Sequence, residues 1–266
     1  MRRGLAAIKS CKSVSLGLEI RHGWGPMAPL RAPTQHFMRR DGGDYCTGAK
    51  TEKGRFGFSD DVIMLSTHGT THIDALCHVF CDGMMFGDIP ASEVSSSGAG
   101  KLGAETIPPI ATRAIIVDAV TDGRDWLDAG EEVHAADLRD RIRNAGLALE
   151  PGDALLVRTG SLRAFQNGVV QDRSWPGLSA DCIDWLRTEK VAVVGADNLA
   201  VEVNPSKVEG LATPLHQTLM REDGVMLVEL LDLEVFAGRT LEGFLTINPL
   251  RIVGGTASPV NPVLML

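Results

Sequence analysis

Three of the seven histidines stand within eleven residues, His68-Gly69-Thr70-Thr71-His72-Ile73-Asp74-Ala75-Leu76-Cys77-His78, in the pattern H-x3-H-x-D-x3-H. Imidazole nitrogens and a carboxylate are the donors that a borderline divalent cation such as zinc or manganese selects. A lone histidine is ordinarily a surface or core residue. Three of them with an aspartate, directly after the apolar run at 62–66, point to a metal centre. The spacing also restricts the backbone. All four residues share parity, so on a strand they would share a face. At about 3.3 Å per residue, however, a straight strand would hold His68 and Asp74 roughly 20 Å apart, too far for one ion. On a helix His68 and His72 would be neighbours while Asp74 pointed elsewhere. Gly69 followed by two β-branched threonines also disfavours a helix. The backbone that remains is a strand at 62–66 ending in a tight bend that gathers the side chains.

The elements that must position this cluster are short. β-Rich runs recur at 62–66, 114–119, 154–158, 191–195, 225–229 and 244–253, most of them bounded by Gly, Pro, Asp or Asn. Helical patterns lie between several of them. Residues 135–144 carry Leu138 and Ile142 at i,i+4 with Gly146 as a stop, and Ser179 reads as the N-cap of a helix over 180–189. Strand and helix alternating through the second half predict an α/β domain. Residues 1–60 are rich in Gly and Pro and read as loop with one strand at 13–20, expected to cover the site. Residues 1–266 are read as a single domain, since no stretch has the composition of an interdomain linker.

The whole composition is that of a globular protein. The 266 residues are 44% apolar and 23% charged, which excludes disorder and coiled coil. The net charge of −8, with no Lys/Arg stripe, argues against nucleic acid as a partner. The longest apolar runs are far too short to span a bilayer, and Lys9 and Lys12 interrupt what could follow Arg2-Arg3 as a signal peptide. A membrane is therefore not an expected partner, and the expected location is the cytoplasm. Five cysteines without secretory context do not suggest a disulfide framework, and Cys77 and Cys81 lack the second pair a structural zinc site needs.

The segment His68-Gly-Thr-Thr-His72-Ile-Asp74-Ala-Leu-Cys-His78 resembles the signature H-x-G-T-H-x-D-x-P-x-H of the cyclase-like metal-dependent hydrolases. That family includes bacterial kynurenine formamidase, isatin hydrolase and a trans-dienelactone hydrolase. The likeness continues through Pro176-Gly177-Leu178-Ser179, through Leu215-His216 before Val225-Met226-Leu227-Val228-Glu229, and through the tail from Pro249 to Val260. It covers roughly residues 60–262. Leu76 stands where the family has proline, Gly69 sits one place early, and the loop before the motif is longer, which sets this chain in a longer subgroup.

The resemblance implies a mixed central β-sheet, or barrel-like sheet, flanked by helices, of the swivelling β/β/α type. It implies that His68, His72 and Asp74 hold a first divalent metal, zinc or manganese, and that Asp74 bridges to a second held by His216 and Glu229. One or two ions per chain are expected. His78 is left unligated as general acid/base. It further implies a homodimer or homotetramer. Read from the residues alone, Glu229 interrupts the apolar run Val225 to Leu231 and, if buried, needs a partner to offset its lost hydration. An edge-strand carboxylate facing water is an equally good reading of that residue. Trp24, Phe56, Phe58 and Phe86 flank or precede the motif and are candidates to line a small-molecule substrate pocket.

A bound divalent ion would bring the pKa of its water towards neutrality. The expected activity is then hydrolysis of an amide (cyclic, N-formyl or N-acyl) or lactone carbonyl by metal-activated water, with His78 carrying protons. No G-x-S-x-G elbow supplies a rival nucleophile. A metal-dependent cyclase or dehydratase of a polyketide-like substrate, and a non-catalytic metal-binding protein on the same scaffold, are the alternatives. Histidine ligands must be neutral, so metal binding is expected to weaken below about pH 6.

Overall fold

A computed structural model describes residues 1–25, 31–48, 56–169 and 173–266. One nine-stranded mixed sheet, curled into a half-barrel, organises it. Its strands in chain order are β1 (Ser13–Ser15), β2 (His72–Asp74), β3 (Ile110–Asp118), β4 (Ala154–Arg158), β5 (Val193–Ala196), β6 (Met226–Glu229), β7 (Thr240–Ile247), β8 (Ala257–Pro259) and β9 (Val263–Met265). Their spatial order is β1-β9-β7-β3-β4-β5-β6-β2-β8. The central strands β3, β4, β5 and β6 run parallel, and every other pairing is antiparallel.

The parallel strands are short, apolar and rich in β-branched residues because both their faces are covered. Alternate residues feed two separate cores. Ile115, Val117, Leu155, Val157, Val194 and Leu227 pack with Leu138 and Ile142 of helix Ala135–Asn144 and with Leu186 of helix Cys182–Glu189. Ala114, Ile116, Leu156, Val193 and Val228 pack on the opposite face with Leu16, Ile73, Met85, Phe236 and Leu264. The α/β class and mixed sheet expected from the sequence are what the chain adopts.

Several local expectations shift. The run expected at 62–66 is strand Asp60–Met64, and it pairs with Gln35–Arg40 in a separate two-stranded ribbon rather than joining the sheet. The sheet strand of the motif is β2, inside the ligand run itself. The strand expected at 13–20 is confined to β1, and the first 60 residues also hold the short helices Arg2–Ala6 and Gly42–Cys46. Ser179 does not cap the helix that follows. Asp181 occupies the N-cap position, and the Ser179 hydroxyl donates instead to Glu132 at 2.9 Å. Among the described residues, no helix is long and apolar enough to cross a membrane.

Candidate metal centre

The site lies where β2 and β6 meet. Antiparallel register sets His72 directly opposite Glu229, so their side chains share one face as cross-strand neighbours. Asp74, two residues on, shares that face by the period of the strand. His68 is in the bend before β2, and the amide of Gly69 donates to the carbonyl of Ser66 at 2.8 Å to close that bend. A Cβ on Gly69 would stand 3.1 Å from that carbonyl, tighter than most real contacts, so glycine suits the bend. The predicted bend is therefore present, but it falls between His68 and a short strand that carries His72 and Asp74. Thr71 fastens the strand from both sides, accepting from the Leu18 amide at 2.8 Å and donating to the Leu230 carbonyl.

His216 arrives from the far side. It opens a π-helical turn, His216–Met220, that leads into β6. Its Nε2 lies 3.2 Å from Glu229 Oε1 and 3.5 Å from Asp74 Oδ2. His72 Nε2 lies 3.4 Å from both Asp74 Oδ1 and Glu229 Oε2, and His68 Nδ1 is 3.0 Å from Asp74 Oδ1. His68, His72, Asp74, His216 and Glu229 are all buried. Leaving out His216, their donor atoms and those of half-buried His78 form two triads that share Asp74. One is His68, Asp74 and His78; the other is His72, Asp74 and Glu229. The ring of His78 packs on that of His68 with centroids 4.1 Å apart.

The hydrogen bonds behind these rings decide which nitrogen faces inward. His72 Nδ1 is 2.8 Å from the Thr70 carbonyl, which can only accept, so Nδ1 carries the proton. His216 Nδ1 is 2.6 Å from Glu202 Oε1, and the same logic applies against a carboxylate. His68 turns Nε2 to the Thr256 hydroxyl at 3.1 Å and leaves Nδ1 for the cluster. In their neutral forms His72 and His216 therefore point lone pairs at Asp74 and Glu229. Lone pairs and carboxylates repel, and His72 Nε2 and both Asp74 oxygens are buried without a hydrogen-bond partner. A cation between them removes the conflict, so this donor set fits a divalent ion with mixed N/O preference.

The directions in which these groups are shifted reflect the same concentration of negative charge. Burial disfavours protonated His216, yet Asp74, Glu202 and Glu229 outweigh it and raise its pKa well above the ordinary value. His72 is raised too, against its burial, by Asp74 and Glu229. Burial would raise the Asp74 carboxyl, but the surrounding imidazoles, His78 foremost, hold it well below the usual carboxylate range. His78 goes the other way. Burial pushes it down to about 4, because repulsion from His68, His216 and His72 joins burial against the pull of Asp74.

Two supporting residues were not singled out from the sequence. Glu202 is 1% exposed and accepts from the amides of Leu215 and His216 at 2.7 and 3.1 Å besides His216 Nδ1. Its signal was a carboxylate inside the apolar run Leu199–Val203, the same kind of signal that marked Glu229. Thr256 carried no such signal, since its role depends on β8 lying beside β2. Gly177 lets the Glu202 segment approach, for a Cβ there would collide with the Glu202 backbone.

The four aromatic candidates are dispersed. Trp24 packs edge-on against Phe165, centroids 5.6 Å apart, with the Arg21 guanidinium over the Trp24 ring. Phe56 and Phe58 are exposed and pair with each other at 6.0 Å. Phe86 lies against Gly224, just before β6. Asp197, directly after β5, is buried and accepts from the amides of Thr159 and Gly160 and from the Thr159 hydroxyl.

The Cyclase family model matches residues 15–203. Among solved structures, a novel cyclase is 30% identical, with a TM-score of 0.89, over 100% of this chain and 90% of its own. Isatin hydrolase A from Ralstonia solanacearum is 22% identical, with a TM-score of 0.68, over 95% of this chain and 91% of its own. A potential metal-dependent hydrolase with cyclase activity shares the fold at 18% identity and a TM-score of 0.57, over 95% of this chain and 98% of its own. No match is found among curated proteins.

Proposed function

The chain belongs to the cyclase family, and from that premise we propose that it is a metal-dependent hydrolase of small-molecule amides or lactones. The observation that carries this reading is the pair of buried imidazole nitrogens, His72 Nε2 and His216 Nε2, turned toward Asp74 and Glu229. Likeness to isatin hydrolase A supports ring-opening of a cyclic amide as the first chemistry to test.

In this reading His68, His72, Asp74, His216 and Glu229 hold the divalent metal, zinc or manganese, with Asp74 shared where two ions bind. Such an ion, when bound, supplies Lewis-acid polarisation of a carbonyl and lowers the pKa of water towards neutrality. The chain's own residues do the rest. The Thr70 carbonyl and Glu202 fix the tautomers of His72 and His216, so both rings present Nε2 without reorganising. Burial of the ligand set keeps bulk water from screening its charges. His78, less buried than the others and depressed to about 4, is neutral at pH 7. A ring nitrogen of His78 is therefore free to accept a proton and return it to the leaving nitrogen or oxygen.

The test is a metal-loaded preparation incubated with cyclic amides, N-formyl and N-acyl amides and lactones, followed by mass spectrometry and elemental analysis. Products that have gained one water, from protein holding one or two zinc or manganese ions per chain, are expected. Products that have lost water would make the enzyme a cyclase or dehydratase. Metal-loaded protein with no turnover on any of these substrates would leave a metal-binding protein on the same fold.

A further inference from the structure

Two turns beside the metal centre adopt a backbone that their residues ordinarily avoid. Among the described residues, Leu102, Val201 and Leu230 are the aliphatic ones with left-handed φ, at +59°, +62° and +57°. A Cβ makes that conformation costly, most of all for a β-branched residue such as Val201. Val201 directly precedes Glu202, and Leu230 directly follows Glu229. These two residues thus deliver the carboxylate that orients His216 and the carboxylate that faces its Nε2. Strained backbone persists only where the surroundings over-determine it.

One residue joins both turns. Asn198, two positions beyond β5 and 1% exposed, donates from Nδ2 to the Pro176 carbonyl at 2.6 Å and to the Val201 carbonyl at 3.2 Å. Both carbonyls can only accept, which fixes the amide nitrogen on that side. The main-chain carbonyl of Asn198 accepts from the Leu230 amide at 3.0 Å. Gly177 leaves room for the side chain, since a Cβ there would stand 2.6 Å from Asn198 Nδ2. We propose that Asn198 is a positioning residue of the metal centre. Its amide clamps the Val201 turn so that Glu202 meets His216, and its carbonyl ties the Leu230 turn behind Glu229. The inference rests on reading His216 and Glu229 as metal ligands.

Titration of the full-length chain with zinc and with manganese tests this, using Asn198→Ala, Val201→Gly and the two combined. Proton NMR of the same proteins without added metal reads the His216 Nδ1–H that Glu202 holds. Asn198→Ala is expected to weaken metal binding by about 10–100-fold, the usual effect of losing support behind a ligand, and to shift that proton signal. Glycine adopts left-handed backbone freely, so Val201→Gly removes the need for the clamp. In that background Asn198→Ala is expected to change affinity by no more than about twofold. An equal loss in both backgrounds, or Asn198→Ala with wild-type affinity and an unchanged His216 signal, would overturn the proposal. Asn198→Asp serves where the combined variant fails to fold, because a carboxyl supplies at most one of the two donated bonds. Wild-type affinity in that variant would equally overturn the clamp. If the wild-type chain binds neither ion, the metal reading fails and the His216 signal of Asn198→Ala decides the clamp, a shift sustaining it and no change overturning it.

Discussion

His78 is shifted in the opposite direction from His72 and His216. Where His72 and His216 are raised by the carboxylates they face, His78 is depressed, and it is only half-buried. A ring that is neutral at pH 7 has a lone pair with which to take a proton, and its place in a triad with His68 and Asp74 also makes it a potential ligand. Replacing His78 with Ala separates the roles. Metal stoichiometry is expected to stay at the wild-type value while turnover falls by about 10²–10⁴, the usual contribution of general acid–base catalysis. Loss of a metal ion in that variant would make His78 a ligand. The pH dependence of metal binding follows from the raised groups. His216 and His72 must release their protons to bind a cation. Because both pKa values are raised, binding weakens as pH falls through a range above the ordinary histidine value, earlier than the pH 6 expected from the sequence. For the stability of the fold itself the sign is opposite. A raised folded-state pKa gives stability that is present at low pH and lost as pH rises through that value. Calorimetric metal titrations in buffers of different ionisation enthalpy are expected to show proton release; affinity constant between about pH 8 and pH 6 would contradict the assignment.

At the scale of elements, the critical junction is the start of the π-helical turn at His216. A π-helical turn is uncommon and occurs frequently at functional positions. Here its first amides have an acceptor in Glu202, which also sets the His216 tautomer. Replacing Glu202 with Ala leaves two backbone donors and one imidazole donor buried without partners, at about 1–3 kcal/mol for each group that water cannot reach. Metal affinity is expected to fall by about 10–100-fold with the five ligand side chains intact. Melting temperature and metal titration read the two effects separately. Undiminished affinity in a destabilised variant would reduce Glu202 to a structural role. The helix over 135–144 was legible in the sequence to the residue, because an amphipathic stripe with a glycine stop depends only on local order. The 62–66 run was legible as a strand but not as a ribbon outside the sheet, because a strand's partner is a matter of topology.

Across the whole molecule, the parallel centre of the sheet is closed by a buried ion cluster away from the metal centre. Arg158, at the end of β4, is 1% exposed and bonds Asp118 at the end of β3 at 3.0 Å and Glu234 at 2.9 Å. It also donates to the Asp125 carbonyl at 2.9 Å, and Arg163 reaches the same Glu234 carboxylate at 2.7 Å. Three separate stretches of chain thus converge on one guanidinium. Replacing Arg158 with Ala strands Asp118 without its cation and is expected to destabilise the protein by about 3–5 kcal/mol, the usual result of breaking a buried pair. Denaturant unfolding measures it. A loss below about 1 kcal/mol would mean that water enters and solvates the carboxylates.

What the sequence determined by itself was the set of donors and the class of fold. His68, His72, Asp74 and His78 announce themselves because their types and spacing are local, and strand–helix alternation is local too. What only the tertiary structure decided was which distant residues complete the set and how each is turned. Glu229 opposes His72 through the β6–β2 register, 157 positions along the chain, and an isolated carboxylate in an apolar run cannot announce whether it faces water or a partner. Glu202 and Thr256 orient rings far from them in sequence through single hydrogen bonds. Such bonds depend on angles and distances of a few tenths of an ångström, which are set by the packing of the whole sheet and are written in no local pattern.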